Sequence, residues 1–211
     1  MAVILKTMPT PAPGFTIRPY RPEDLDALYD ICLKTGNTGE DATELYGDPR
    51  LLGHLYAAPY ATLEPDLTFV LEDGEGVCGY ILGAFDSRVF YERLEREWFP
   101  GVREQYPEPR EDNKNWTRDE HLIYQFYHLD ATFPPDYPSH LHIDLLPRAQ
   151  GSGNGRALME TFLAALTAKG SPAVHLGTSP QNIRAEQFYE KMGFHELKRR
   201  EPHSLVLGKT L

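Results

Sequence analysis

The sequence predicts an α/β fold in which helices flank a mixed central β-sheet and a helical insertion separates the third and fourth strands. Three observations carry that expectation. An apolar strand, Leu141–Leu146, passes through the glycine-rich turn 150–155 into a helix whose Leu158, Met159, Phe162, Leu163 and Leu166 fall on one face. Two apolar runs, Thr68–Glu72 and Val77–Phe85, flank Asp73-Gly74-Glu75-Gly76 and form a hairpin. A further apolar strand, Ala173–Thr178, precedes a helical pattern over 182–192 and two short closing strands.

Taken in order, residues 1–14 carry prolines and no periodicity, so they read as a flexible lead, and a single domain is expected over 15–211. Phe15–Arg18 is a short first strand. Pro22 suits the first turn of a helix whose buried face is Leu25, Leu28, Tyr29 and Cys32. Thr35–Pro49 is polar and glycine-bearing, a loop, and Arg50–Tyr56 is a short second helix. After the hairpin, the span of about 86–139 is longer than a connection needs and reads as an insertion rich in proline and aromatic residues. Within it, Thr117-Arg118-Asp119-Glu120 has capping-box form and predicts a helix over 118–128, and a second helix is expected near 89–98. The insertion has two readings, which can hold at once: a cover that packs on the sheet through its own rings, or a wall or lid of the substrate site. His195–Leu197 and Ser204–Leu207 close the sheet.

Composition narrows the class of protein. A chain of 211 residues supports one good core. Hydrophobic residues at 41% and charged residues at 25% are ordinary for a globular protein. No apolar run approaches the roughly 18 residues that span a membrane, so no membrane partner is expected. Only Cys32 and Cys78 are present, without metal or redox spacing, which fits a reducing, cytoplasmic setting. A formal charge of −10 argues against a nucleic-acid partner.

Strand, glycine-rich turn and helix together aim several backbone N–H groups and the positive end of a helix dipole at one point, which attracts phosphate. The run G-x-x-x-x-G-K-[ST] of a nucleotide P-loop is absent, and the dinucleotide pattern G-x-G-x-x-G fails because Arg156 stands at its last position. Two acid–base candidates lie on the preceding strand. His142 and Asp144 are two apart and share a face, and either can accept a proton. His175 on the next strand reads as core. His140-x-His142-x-Asp144 also alternates onto one face, but Leu145 follows where a metallo-β-lactamase-like run has histidine, and no metal is expected.

Two motifs carry a family resemblance. Gln150-x-x-Gly153-x-Gly155 resembles the Q/R-x-x-G-x-G/A signature of the GCN5-related N-acetyltransferases (GNAT), which hold the pyrophosphate of acetyl-coenzyme A. The run from Asn182 to Phe194, with Ala185, Phe188, Tyr189, Lys191 and Gly193, resembles that family's N-x-x-A-x-x-F-Y-x-K-x-G-F helix. Physically, Asn182 suits its N-cap and Gly193 its left-handed C-terminal exit. Arg18-Pro19 followed by Glu23-Asp24-Leu25 resembles the family's opening. From about Phe15 onward the chain is also similar to one branch, the acetyltransferase-like C-terminal domain of eukaryotic O-GlcNAcase, through Phe69–Gly83, Glu186–Gly193 and Val206–Leu211.

The resemblance implies a GNAT fold and acetyl-CoA as co-substrate, with a small-molecule amine or a peptide as acceptor. It implies contact with the cofactor by Gln150, Gly151, Ser152, Gly153, Asn154, Gly155 and Arg156, by the backbone near Leu145 and Leu146, and by Asn182. Tyr189 matches the tyrosine that protonates the departing thiolate, while Asp144 and His142 remain alternatives for the base. The last strands of this fold often pair between subunits, so a homodimer is an expected assembly. In the animal O-GlcNAcase branch the pyrophosphate loop is degraded and the domain is regarded as a pseudo-acetyltransferase, whereas Gln150–Gly155 is intact here. A catalytically silent CoA-binding or protein-interaction module is therefore the alternative to an enzyme. Specificity is expected from the Thr35–Pro49 loop and the insertion.

Overall fold

The computed structural model describes residues 9–110 and 113–211. Residues 1–8 of the expected lead lie outside the described residues; 9–14 are irregular, and the Ala12 N–H donates to Asn154 Oδ1 at 2.8 Å.

Seven strands form one mixed sheet in the order β1-β2-β3-β4-β5-β7-β6. They are β1 (Thr16–Pro19), β2 (Thr68–Asp73), β3 (Gly76–Ala84), β4 (Ser139–Leu145), β5 (Ala173–Thr178), β6 (His195–Arg200) and β7 (Ser204–Thr210). Neighbours run antiparallel except β4 and β5, which are parallel. The predicted hairpin is β2–β3, with a register shift at Leu71/Glu72.

Helices α1 (Leu25–Thr35), α2 (Leu51–Tyr56) and α3 (Ala58–Leu63) precede β2. The first begins after a 3₁₀ turn at Pro22–Asp24. The side chain of Asp24 accepts from the Arg21 N–H at 2.8 Å and from both terminal nitrogens of Arg18, tying β1 to the start of α1. The third helix was not anticipated. Pro59 sits in its first turn, where proline is tolerated because its missing N–H has no intrahelical partner to lose. Long helix α7 (Asn154–Lys169) covers the opposite face, where Phe162 packs so tightly on β3 that a Cβ at Gly83 would stand 2.6 Å from its ring.

The insertion holds α4 (Ser87–Arg93), a π-helical turn at Leu94–Trp98, α5 (Phe99–Gln105) and α6 (Arg118–Gln125), more helix than the two pieces expected. The Thr117 capping box forms as its sequence predicts. Phe90, Phe99 and Phe126 are fully buried, and Trp98 Nε1 donates to the His54 carbonyl at 2.9 Å. The insertion's aromatic residues thus extend the core over α2 and α3. Helix α8 (Ile183–Lys191) crosses from β5 to β6 and ends at Gly193, whose φ of 83° is left-handed as expected.

Candidate active site

The site originates in a parting of strands. β4 and β5 pair only at Ser139–Val174 and His140–His175; beyond that β5 stays with β7 and β4 stays with β3. Leu141–Leu145 therefore runs on with no neighbour on one side. A cleft of about 760 Å³ opens there, floored by β4 and walled by the 150–156 loop, α8 and residues 38–40.

The pairing also sorts the backbone groups of β4. Leu146 N–H donates to the Cys78 carbonyl at 2.8 Å, so it is engaged on the β3 side. Along an antiparallel strand these groups alternate in direction, so those of Leu145 and Ile143 face the gap. Of the two positions expected from sequence, Leu145 and Leu146, it is Leu145 whose N–H faces the gap, because one residue along a strand reverses direction.

The turn 150–156 has a built geometry. Gly151 and Gly153 adopt φ of 80° and 87°, where a Cβ is strained. The first bond of α7 runs from Ala157 N–H to the Gly153 carbonyl at 3.0 Å, so the N–H groups ahead of it are not drawn into the helix. The side chains of two residues expected at the cofactor hold the turn itself. Gln150 Nε2 donates to the Leu145 carbonyl at 2.7 Å. Asn154 is buried, with Nδ2 donating to the Ala149 carbonyl at 3.0 Å and Oδ1 accepting from Ala12. Ser152 is exposed outside the cleft lining, and Arg156, at the rim, pairs with Glu160 at 2.7 Å.

On the floor, His142 and Asp144 share a face as predicted. Tyr80, directly opposite on β3, donates its hydroxyl to Asp144 Oδ2 at 2.7 Å. Burial pushes the Asp144 carboxyl above the ordinary value, and the hydrogen bond from Tyr80 opposes that rise. Burial, reinforced by His175, draws His142 down to about 4, so its ring is neutral at pH 7. His142 Nε2 lies 3.1 Å from the Tyr60 hydroxyl, and the Tyr56 ring meets His142 edge-on at 5.7 Å. His175 donates Nδ1–H to the Tyr137 carbonyl at 2.8 Å and is buried, as the core reading expects.

Tyr189 and Asn182 form the far wall. Tyr189 is buried to 8% exposure, and burial with the nearby Asp144 charge raises its phenol. Among the described residues every buried side-chain oxygen has a partner, and none is found for the Tyr189 hydroxyl, so that hydroxyl opens on the cleft. Asn182 caps α8 by accepting from Ala185 N–H at 3.0 Å, and its Nδ2 donates to the Thr38 carbonyl at 3.0 Å. It clamps the 38–40 loop, where Thr38 holds a φ of 59°, and keeps one N–H and one lone pair for a ligand.

Residues missed from sequence include Tyr80, Tyr60, Thr35 and Arg184. Tyr80 was within reach, because aligning the β2–β3–β4 register places it opposite Asp144. No residue of the insertion lines the cleft among those described, while its buried Phe90, Phe99 and Phe126 pack against the rest of the core, as the cover reading expects. The insertion acts at one remove: Asp119 of α6 accepts from the N–H groups of Gly47 and Asp48 at 3.0–3.1 Å, steadying the loop that ends at the cleft. Among the described residues no group of three His, Cys, Asp or Glu side chains has the spacing to hold a metal.

A model of the acetyltransferase (GNAT) family matches residues 34–194. Protein O-GlcNAcase of Rattus norvegicus is 31% identical over 204 residues, covering 93% of this chain, and that of Mus musculus matches equally. The chain spans 22% of the length of each. Among solved structures, that of SsHAT aligns with a TM-score of 0.87 and 44% identity over 94% of this chain and 98% of its own. Chaetomium thermophilum Naa20, solved in complex with a bisubstrate analogue, aligns at 0.55 with 24% identity over 93% of this chain and 86% of its own, a likeness of fold.

Proposed function

The chain belongs to the acetyltransferase (GNAT) family, and from that premise we propose that it moves an acetyl group from acetyl-CoA to a primary amine. The observation that carries this is the intact 150–156 turn, with left-handed Gly151 and Gly153 at the N-terminus of a helix of 16 residues, placed at the mouth of the cleft that Tyr189 lines.

The N–H groups of the turn and the α7 dipole bind the pyrophosphate. The Leu145 N–H, facing the gap, donates to the thioester carbonyl and stabilises the oxyanion, a contribution of about 3 kcal/mol for one such donor. A residue on the β4 floor, His142 or Asp144, takes a proton from the amine as nitrogen bonds to the acetyl carbon. As the C–S bond breaks, Tyr189 protonates the thiolate; its raised phenol is the neutral donor this step needs. Bulk solvent restores the tyrosine and the base.

The test is acetylated product from acetyl-CoA and a panel of amines and peptides, with Tyr189→Phe alongside. Product from the native protein and its loss in the variant support the reading. The relatedness to the O-GlcNAcase region keeps a silent CoA-binding module as the second reading, and tight acetyl-CoA binding with no product across the panel would favour it.

A further inference from the structure

Behind the cleft floor a file of hydrogen bonds runs inward from His142. The Tyr60 hydroxyl oxygen lies 3.1 Å from His142 Nε2 and 2.9 Å from His140 Nε2. His140 Nδ1 lies 2.7 Å from Ser87 Oγ, and Ser87 Oγ lies 2.7 Å from the Pro138 carbonyl oxygen. A carbonyl only accepts, so the single Ser87 hydroxyl proton points at Pro138. Ser87 Oγ must then accept from His140, which puts the proton on His140 Nδ1. A neutral His140 has a bare Nε2, which accepts the Tyr60 proton. The Tyr60 oxygen in turn accepts from His142 Nε2–H. Each link follows from the one before, and the last leaves a lone pair on His142 Nδ1.

The rings are held neutral. Burial, with His142 and His175 nearby, takes His140 well below the ordinary value, and His142 falls likewise. No partner is found for His142 Nδ1 among the described residues, where every buried side-chain nitrogen has one, so Nδ1 opens on the cleft that His142 lines. The groups facing His142 are Tyr56 from α2, Tyr60 from α3, His140 and Asp144 from its own strand, and His175 from β5.

We propose that this file fixes the tautomer of His142 and makes its Nδ1 the general base of acetyl transfer, with Tyr60, His140 and Ser87 as positioning residues. The proposal rests on the acetyltransferase reading. Nδ1 takes the amine proton as the C–N bond forms, the C–S bond breaks, and the thiolate takes the Tyr189 proton. The resulting His142 imidazolium keeps its Nε2–H on Tyr60 and shares a strand face with Asp144. His142 then releases its extra proton to water, and Tyr189 regains one.

The test is a long-range ¹H–¹⁵N correlation spectrum of the full chain labelled at histidine nitrogen, at pH 7, with His142 and His140 assigned by loss of signal in His142→Gln and His140→Gln. The expected pattern is a proton on Nε2 and none on Nδ1 for His142, and the reverse for His140. A proton on His142 Nδ1, or the averaged signals of a freely exchanging ring, would overturn the proposal. Tyr60→Phe keeps the ring that stacks on Phe90 at 4.4 Å and removes only the hydroxyl. It is expected to release His142 into averaged tautomers, and a His142 unmoved by it would contradict the file. In turnover, Tyr60→Phe is expected to lower kcat about tenfold with acetyl-CoA affinity unchanged; an unaltered kcat would count against it. The two readings fail separately: absent acetyl-CoA binding sinks the acetyltransferase and leaves the tautomers standing, whereas averaged tautomers sink the file and leave cofactor binding intact.

Discussion

Tyr189 concentrates the residue-scale argument, because a phenol raised by burial and by Asp144 keeps its proton until a stronger base forms beside it. Replacing it with phenylalanine removes the proton and little else, since the ring still packs against Phe188 and Phe194. Turnover is expected to fall by about a hundredfold while acetyl-CoA binds as before, the range for loss of a positioned acid; equal kcat values in a side-by-side assay would remove Tyr189 from the chemistry. Asp24 gives a second test at this scale. It is 5% exposed, and Arg18 holds its carboxyl below the ordinary 3.8. A depressed carboxylate contributes stability above its unfolded value and loses it as pH falls through the folded one. Asp24→Asn should therefore cost about 3 kcal/mol at pH 7 by urea unfolding, and the gap to the native protein should narrow below pH 3.8. An equal gap at pH 7 and pH 3 would argue that packing, not charge, joins β1 to α1.

Among the elements, the capped helices and the parted strands determine what the cleft can hold. Thr117→Ala removes the cap of α6 and should cost about 1 kcal/mol. Because Asp119 in the same first turn anchors Gly47 and Asp48, amide exchange in the 47–48 loop should quicken along with that of α6; protection lost in the helix alone would uncouple the two. Much at this scale was legible in the sequence. The hairpin, the Thr117 box, the Asn182 cap and the Gly193 exit are local patterns, in which neighbouring residues satisfy one another's backbone. Helix α3 was not legible, because Pro59 in a first turn looks like a breaker until the helix around it is known. Nor was the two-residue pairing of β4 with β5, since the length of a parallel pairing depends on where β7 and α8 draw the partner strand. For the same reason the turn 150–156 was legible as a glycine turn opening a helix, while the duties of Gln150 and Asn154 were not: their partners, Leu145 and Ala12, are set by tertiary placement.

For the whole molecule, His140 and His175, buried where β4 meets β5, and the half-buried His142 on the cleft floor tie stability to pH. His140, His142 and His175 all titrate below the ordinary 6.5, with burial the first cause in each. The unfolded chain binds their protons first, so stability should fall as pH drops from 6.5 towards 4. The urea midpoint is expected to be lower at pH 5 than at pH 7, and an unchanged midpoint would mean that these rings charge without penalty. The central claim concerns the cleft itself, that a parted sheet and a left-handed glycine turn form a working acetyl-CoA site. Calorimetric titration of acetyl-CoA into the native protein and into Gly153→Trp tests it most directly, with thermal unfolding of both as the control for folding. Residue 153 sits at a φ of 87°, so any side chain there strains the turn that aims the N–H groups. Micromolar or tighter binding by the native protein and its loss in a folded variant are expected; a native protein that takes up no acetyl-CoA would mean that the cleft is not such a site.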